Sequence, residues 1–266
     1  IEVAKTLQDC KVDYLAVAVA DEGRELRNAG ITTSIMVMNP ERTSFKLLFD
    51  YKLEPEIYSF HLLEELIRAA EHNGITNFPI HIKIDTGMHR LGFAPSDIPE
   101  LVRRLKRQTA VIPSSVFSHF AGSDSVYFDE YSKLQVERFK MAADTLQEAF
   151  RHYIARHICN SAGIERLPQQ HFDMVRLGLG LYGVNPINNQ LLDNVATLKT
   201  TILQIRNLPK DETVGYSRKG VLERDSKIAA LPIGYADGLN RRLGNRNAYC
   251  LVNGKKAYYV GNICMD

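Results

Sequence analysis

The sequence predicts an α/β fold of the TIM type, a (β/α)8 barrel that lacks its first strand, followed by an incomplete all-β C-terminal domain. Up to about residue 186, short β-branched runs alternate with helical segments, which is typical of parallel strands joined by crossover helices. The seven strand candidates are one fewer than a closed barrel requires. From about Ala196, closely spaced strands and hairpin signals indicate an antiparallel β domain.

Each element follows from its local pattern. The barrel strands are predicted at residues 14–20, 34–38, 55–59, 79–84, 115–120, 154–159 and 174–179. Helices are predicted at residues 21–29, 61–72, 97–107 and 129–150, where apolar residues recur at helical spacing. Strands of the second domain are predicted at residues 200–205, 228–233, 248–252 and 257–260, with Asn253-Gly254 as a hairpin turn. Residues 1–186 are therefore assigned to the barrel and residues 187–266 to the β domain.

The two ends of the sequence lie inside elements. Residues 1–8 already have the pattern of an amphipathic helix and lack an initiator Met, and Asp266 directly follows a strand-like run. We therefore expect the sequence to be a fragment of a longer protein, with the missing barrel strand upstream of Ile1.

The composition is typical of a soluble globular protein. With 33 basic and 31 acidic residues, the net charge is +2 and the basic residues are dispersed, which argues against binding to nucleic acid. No apolar run approaches the roughly 20 residues that span a bilayer, so no membrane association is expected. The four cysteines form no CxxC pair, so neither a metal site nor a disulfide framework is indicated. These features favour a cytoplasmic location.

Polar residues lie at or after the ends of four successive strands of the predicted barrel, where TIM-barrel active sites lie. They are Lys83 inside its strand with Arg90 after it, then His119, then Asn160 and Ser161, then Arg176 inside the last strand with the Gly178-Leu-Gly180 turn after it. Each has a structural alternative, because His119 could be a core histidine, Lys83 an edge lysine, and Asn160-Ser161 a helix cap. The recurrence at four strand ends favours one common site.

The residue types narrow the chemistry of this site. Ser161 at a helix start and the backbone N–H groups of the Gly-Leu-Gly turn suit the phosphate of a cofactor. Arg176 cannot surrender its proton at working pH, so a ring nitrogen facing it would stay unprotonated. A pyridine in that state is a poor electron sink, which favours racemisation over transamination.

Seven separated motifs carry a family resemblance: KIDTGMHRLGF, SHFAGSD, CNSAG, DMVRLGLGLYG, VGYSRKG, PIGYADGLNRR and VGNICMD. With them the sequence resembles the alanine racemase family over essentially its whole length. The resemblance implies an isomerase that interconverts L-alanine and D-alanine through a pyridoxal 5'-phosphate aldimine and two-base proton transfer. It further implies D-alanine supply for peptidoglycan and a homodimer whose active sites are shared across the interface.

The resemblance also implies roles for the cofactor-binding residues. Arg176 would pair with the pyridine nitrogen, and His119 would stack beside the ring and link Arg176 to the catalytic tyrosine. Ser161 and the backbone at Gly178 and Leu179 would hold the phosphate, and Asn160 would line the same end.

Further residues are implied to act on the substrate. Arg90 would contact the phenolic oxygen of the cofactor and the substrate carboxylate, and Lys83 would orient Arg90, as a carbamate in many members. Met265 would offer its backbone N–H to the same carboxylate. Tyr235 would be a catalytic acid/base that reaches the active site of the partner subunit, although its position in a glycine turn also suits a residue covering a core edge.

The sequence departs from the family at two places. It contains no Lys-x-x-x-Tyr-Gly-His-Gly stretch, which carries the cofactor lysine, and no phosphate-binding tyrosine near its C-terminus. We therefore expect these 266 residues alone not to attach the cofactor covalently. One alternative is a non-catalytic relative that binds a phosphate-bearing ligand or acts in assembly. Another is an amino-acid decarboxylase on the same scaffold, which Arg176 disfavours because those enzymes place an acidic partner at the ring nitrogen.

Overall fold

A computed structural model describes residues 1–188 and 192–266 in two compact units, Ile1–Val195 and Ala196–Asp266. Residues 189–191, which fall in the predicted β domain, lie outside the described residues. The domain boundary predicted between residues 186 and 187 therefore stays a prediction.

The first unit contains a six-stranded parallel sheet that curls into a half-barrel. Its strands pair in chain order, so each strand lies beside the next one along the sequence. They are β1 (Tyr14–Val17), β2 (Ser34–Val37), β3 (Glu54–Ile57), β4 (Phe78–Lys83), β5 (Val111–Phe117) and β6 (Ala155–His157). Sequential parallel pairing with intervening helices is the arrangement of a barrel, and the predicted fold class is confirmed.

Seven α-helices are described in the first unit. They are α1 (Glu2–Asp9), α2 (Ala20–Asn28), α3 (Phe45–Asp50), α4 (Phe60–His72), α5 (Ile98–Leu105), α6 (Asp129–Ala149) and α7 (Ser161–Arg166). The four predicted crossover helices are present, with ends shifted by one or two residues. Helix α3 was not predicted, because six residues are too few to establish a periodicity, and α7 was indicated only by its start at Asn160-Ser161. Among the described helices, none combines the length and the apolar character needed to cross a membrane.

The two faces of the parallel sheet differ in polarity. Ile80, Ile82 and Val116 are fully buried and belong to the same core cluster as Leu66 of α4 and Phe139 of α6. Alternate strand residues point to opposite faces, so the positions between them face the inside of the half-barrel. Those inward positions carry polar side chains, among them Glu54, His81, Ser115 and His157.

The prediction of a seventh barrel strand at residues 174–179 was wrong. The segment runs beside β6 with two backbone hydrogen bonds, from Asp173 N to Arg156 O (3.1 Å) and from Arg176 N to Cys159 O (3.0 Å). The bonds are three residues apart on both segments, whereas a parallel ladder repeats every two residues. The segment is therefore an irregular extension of the sheet edge, and Leu179–Tyr182 forms a 3-10 turn.

The second unit consists of short antiparallel strand pairs. Strand β7 (Gln204–Leu208) pairs with β10 (Ser226–Ala230), β8 (Thr213–Val214) with β9 (Gly220–Val221), and β11 (Tyr249–Val252) with β12 (Lys255–Tyr258). The Asn253-Gly254 turn is confirmed, because φ is 49° at Asn253 and 76° at Gly254, as a type I′ hairpin requires. The strand predicted at residues 200–205 begins only at Gln204, and the two-residue strands β8 and β9 are too short for sequence patterns to reveal.

We expect Phe139→Ala to lower the free energy of unfolding by about 3–5 kcal/mol. The Phe139 ring is fully buried on α6 and contacts Phe172 edge to face at 5.3 Å between ring centroids, so truncation leaves a cavity. Met141→Ala on the same helix is the control. Its side chain is 67% exposed, so a change within about 0.5 kcal/mol is expected. Urea denaturation followed by circular dichroism measures both, and similar losses would contradict the assigned face of α6.

Candidate active site

Arg176 is anchored by acceptors at the ends of β5 and β6. Its Nη1 lies 2.6 Å from Nδ1 of His157, and its Nη2 donates to the backbone oxygens of Ser118 (2.6 Å) and Ile158 (3.2 Å). Nη2 also lies 3.3 Å from Nδ1 of His119. A guanidinium has donors only, so both imidazoles must present an unprotonated Nδ1 to Arg176.

The lowered pKa values of His119 and His157 agree with the neutral imidazoles that Arg176 requires. Burial, followed by the positive charges of Arg176, Lys83 and Arg90, lowers the pKa of His119 to about 3. Burial and the charge of Arg176 also hold the pKa of His157 well below its ordinary value. Burial lowers the pKa of Arg176 to about 10, which still leaves it charged at pH 7. Both histidines thus carry their hydrogen on Nε2 and accept from the cation through Nδ1.

Lys83 and Glu56 form a buried charge pair on adjacent strands. Lys83 Nζ lies 3.8 Å from Glu56 Oε1 and 4.4 Å from the centroid of the Phe117 ring. Burial lowers the pKa of Lys83 to about 8, although the Glu56 carboxylate opposes this shift. Burial raises the pKa of Glu56 against the opposing charges of Lys83, Arg176 and Arg90. Among the described residues, Glu56 Oε1 has no hydrogen-bond partner.

Arg90 lies in a tight loop that follows β4. Asp85 Oδ1 accepts hydrogen bonds from Gly87 N (2.9 Å) and His89 N (3.0 Å). Gly92 has a φ of 132°, and a Cβ there would lie 2.5 Å from Asp85 N, so only glycine fits. The Arg90 side chain is exposed and makes no hydrogen bond to any described residue. Its donors are therefore open to an anionic ligand.

Helix α6 holds the same loop from outside. Tyr131 donates its hydroxyl to Gly87 O (2.8 Å), and Arg138 Nη1 donates to Thr86 O (3.1 Å). Gln135 Nε2 donates to His119 O (3.0 Å), so α6 also contacts the segment after β5. The long helix thereby fixes two of the strand-end segments that form the site.

Ser161 and the glycine turn form a cradle of N–H groups. Ser161 Oγ accepts hydrogen bonds from Gly178 N (3.0 Å) and Gly180 N (3.3 Å). Gly178 and Leu179 are exposed, and Leu179 N makes no hydrogen bond to a described residue. A Cβ at Gly178 would point toward Ser161 Oγ at 3.8 Å, so glycine keeps this space open. A phosphate oxygen could replace the hydroxyl as acceptor, so the group fits the donors that are present.

Asn160 has a structural partner on each side. It caps α7 by accepting from Gly163 N (2.9 Å), and the same Oδ1 accepts from Ser123 Oγ (2.8 Å). Helix α7 has only six residues, so the cradle depends on the Ser161 hydroxyl and the glycine N–H groups rather than on a helix dipole. The helix cap that the sequence suggested as an alternative role for Asn160 is therefore present.

Tyr235 and Met265 lie together in the second unit. Tyr235 N donates to Cys264 O (2.9 Å), and Ala236 N donates to Met265 O (2.9 Å). A Cβ at Gly234 would lie 2.3 Å from the Met265 carbonyl carbon, so glycine is required for this close approach. The Tyr235 side chain is 42% exposed, and its hydroxyl makes no hydrogen bond to a described residue. The strand-end turn thus presents a free phenol beside the Met265 backbone.

Sequence comparisons identify the family of both units. The profile described as the alanine racemase N-terminal domain matches residues 1–186, and that of the alanine racemase C-terminal domain matches residues 195–266. The chain belongs to the alanine racemase family. Alanine racemase 1 of Clostridium acetobutylicum is 38% identical over all of this chain and 70% of its own length. The alanine racemase of Clostridium tetani is 36% identical with the same coverage.

Solved structures of alanine racemases have the same fold. The alanine racemase of Clostridium difficile 630 gives a TM-score of 0.87 at 32% identity, covering 100% of this chain and 70% of that chain. The biosynthetic alanine racemase from Pseudomonas aeruginosa gives a TM-score of 0.87 at 28% identity, covering 100% and 73%. The similarity to solved alanine racemases therefore covers both units of this chain.

Several residues around Arg176 were not predicted from the sequence. They are Glu54, Glu56, His81, Ser115, Ser118 and His157, together with Gln135 of α6. The sequence pattern that could have identified these residues is a polar side chain at alternate positions of a buried strand, as in Glu54-Pro-Glu56 of β3. Two pairs of the predicted site residues are in direct contact. Arg176 contacts His119, and Ser161 contacts Gly178. Lys83 and Arg90 act on His119 through their charges.

We expect Lys83 to titrate near pH 8 and Glu56→Gln to lower its pKa further, because the negative charge that opposes deprotonation is removed. Side-chain NMR of the isotopically labelled lysine, followed from pH 6 to 11, measures this pKa. The matched control is Glu65→Gln, which removes a similarly shielded carboxylate that pairs with Arg42. An unchanged Lys83 midpoint in Glu56→Gln would contradict the charge pair.

Proposed function

We propose that the protein interconverts L-alanine and D-alanine with pyridoxal 5'-phosphate as cofactor. In this proposal it acts as a cytoplasmic homodimer and supplies D-alanine for cell-wall peptidoglycan. The observation that carries the proposal is Arg176, a permanent donor held by His157 Nδ1 and two backbone carbonyls on the same strand ends as the phosphate cradle. The names of the relatives support the substrate.

The residues of the first unit fit the cofactor at both ends. Ser161 Oγ with the N–H groups of Gly178 and Leu179 would hold the phosphate, and Asn160 would keep the cradle in place through its cap. Arg176 would donate to the ring nitrogen, and neutral His119 would pack beside the ring. When bound, pyridoxal phosphate supplies an electron-withdrawing group that makes the α-hydrogen of an attached amino acid acidic. Arg176 would leave the ring nitrogen unprotonated, so this electron withdrawal would be weak and the proton would return readily to the α-carbon.

Arg90 and Met265 would recognise the substrate. The unpaired guanidinium of Arg90 suits the alanine carboxylate, with which it can form two parallel hydrogen bonds. The Met265 N–H makes no hydrogen bond to a described residue. It would donate to the carboxylate of the substrate bound at the partner subunit's site, because Met265 lies beside Tyr235. Lys83 would orient Arg90, and its lowered pKa of about 8 increases the share of the free amine, the form that reacts with carbon dioxide to give a carbamate.

Tyr235 would accept or donate the α-proton at its phenolic oxygen. Racemisation removes a proton from one face of the α-carbon and returns one to the other, which two groups on opposite sides achieve most simply. Its exposure and its lack of a hydrogen-bonded partner suit a phenol that completes the active site of a partner subunit. Site sharing of this kind requires the proposed homodimer.

The full-length protein, with any residues that flank this chain, is expected to bind pyridoxal phosphate and to form D-alanine from L-alanine. Ser161→Ala should weaken cofactor binding about 10- to 150-fold, since a hydrogen bond to a charged group contributes roughly 1.5–3 kcal/mol. Ser125→Ala, which removes a hydroxyl that caps a 3-10 turn, is the control. Cofactor binding is measured by equilibrium dialysis, and D-alanine by chiral chromatography. Tight binding without racemisation would instead favour the non-catalytic relative.

Tyr235→Phe in the full-length protein should retain cofactor binding and lose most racemase activity. The substitution removes only the phenolic oxygen, which makes no hydrogen bond to a described residue. Exchange of the α-hydrogen in heavy water, measured from each enantiomer separately, should fall more for L-alanine than for D-alanine. Tyr249→Phe in β11 is the control. Equal and minor losses for both enantiomers would assign Tyr235 to a structural role at the turn.

A further inference from the structure

A chain of hydrogen bonds crosses the inside of the half-barrel from Arg176 to Glu54. Arg176 Nη1 lies 2.6 Å from His157 Nδ1, and His157 Nε2 lies 3.0 Å from Ser115 Oγ. Ser115 Oγ lies 2.7 Å from His81 Nδ1, and His81 Nε2 lies 2.9 Å from Glu54 Oε2. The links come from β6, β5, β4 and β3 in turn, so the chain follows the order of the sheet.

The cation fixes the direction of the first two links. Arg176 has no acceptor, so His157 Nδ1 must accept, and a neutral His157 then carries its hydrogen on Nε2. That N–H donates to Ser115 Oγ. The Ser115 hydroxyl hydrogen has one remaining polar atom within reach, which is His81 Nδ1.

The carboxylate fixes the direction of the last link. An ionised Glu54 is an acceptor only, so His81 Nε2 carries the hydrogen and donates to Oε2. Tyr14 donates its hydroxyl to the same oxygen at 3.1 Å. All four bonds therefore point from the cation to the anion, and bonds aligned in this way polarise and strengthen one another.

Packing holds the two imidazoles in this chain. The His157 ring stacks on Phe117 with centroids 4.7 Å apart and planes inclined by 3°, and Tyr14 contacts the His81 ring edge to face at 5.4 Å. His81 and His157 are completely buried and Ser115 is 1% exposed. Water cannot therefore replace a lost partner without a rearrangement of the interior.

We propose that Ser115 and His81 are positioning residues for Arg176, acting through His157. The chain keeps His157 in the Nε2–H tautomer, so its Nδ1 always accepts from the guanidinium. In the opposite tautomer, two N–H groups would face each other at 2.6 Å and Arg176 would be displaced. This inference rests on the proposed function in one respect only, that Arg176 is the donor to the cofactor ring.

Histidine NMR of the cofactor-free, full-length protein tests the chain directly. Long-range proton–nitrogen correlation distinguishes the two tautomers, and both His81 and His157 are expected as Nε2–H with an unprotonated Nδ1. A wild-type His157 with its hydrogen on Nδ1 would overturn the proposal. No cofactor is needed for this measurement, so its result does not depend on the proposed function.

Ser115→Ala removes the acceptor for His157 Nε2–H and the donor for His81 Nδ1. We expect His81 to lose its single tautomer and the His157 ring signals to shift. The control is Ser132→Ala, which removes a 1% exposed hydroxyl that has no partner among the described residues, and it should leave both rings unchanged. Unchanged imidazole signals in folded Ser115→Ala would overturn the proposal.

Glu54→Gln tests the far end and does not depend on Ser115→Ala folding. The glutamine oxygen can accept from His81 Nε2–H and from Tyr14 as Glu54 Oε2 does, so both His81 and His157 are expected to keep the Nε2–H form. Glu65→Gln is the control, because its carboxylate pairs with Arg42 outside the half-barrel. Conversion of His81 to the Nδ1–H tautomer in Glu54→Gln would overturn the assigned direction.

Activity supplies the functional part of the test. In the cofactor-loaded full-length protein, Ser115→Ala is expected to lower kcat between about 10- and 100-fold with KM for alanine unchanged, since a displaced Arg176 affects the reaction and not substrate binding. A change in KM alone would overturn the positioning role. Loss of racemisation in the wild type, with the tautomers as expected, would overturn only the proposed function.

Discussion

The Arg176 guanidinium needs an acceptor along each of its edges, and the parallel sheet is arranged to supply them. Ser118 O and Ile158 O lie at the ends of β5 and β6, and the His157 ring projects from β6 itself. In an antiparallel sheet, consecutive strands would end at opposite edges, and these acceptors would be separated. The chain-order pairing of the half-barrel thus makes it possible to enclose a cation that stays charged at pH 7.

Positive charge exceeds negative charge around Arg176. Arg176, Lys83 and Arg90 all act on the pKa of Glu56, whereas the negative charges that act on Lys83 are those of Glu56 and Asp85. Burial and the same three cations keep His119 neutral. An anion with two charged groups, such as a phosphate-bearing cofactor together with an amino-acid carboxylate, would balance this excess. The electrostatics therefore favour the same class of ligand as the N–H cradle at Ser161.

Sequence patterns located the strand-end residues but not the layer beneath them. Lys83, His119, Asn160 and Arg176 lie at or just after the ends of predicted strands, and the C-terminal ends of parallel strands meet at one edge whatever the details of the sheet. His81 and Ser115 lie inside strands, where a polar residue also matches an exposed face of the sheet. Only the partner across the sheet distinguishes these cases, and a single sequence does not contain that information. The error at residues 174–179 has a similar origin, because an apolar run predicts extended backbone but not a regular ladder.

The two polar layers inside the half-barrel differ in how completely their atoms are paired. In the lower layer, Glu54, His81, Ser115 and His157 each find partners, and Tyr14 supplies the final donor. Two residues further along the strands, Glu56 Oε1 has no hydrogen bond within the described part of the chain, and its ion pair with Lys83 is long, at 3.8 Å. A buried oxygen without a donor is destabilising, so a protein retains one where another requirement outweighs stability. The lower layer therefore has the character of a rigid support, whereas the upper layer, next to Arg176, keeps polar atoms available to a ligand.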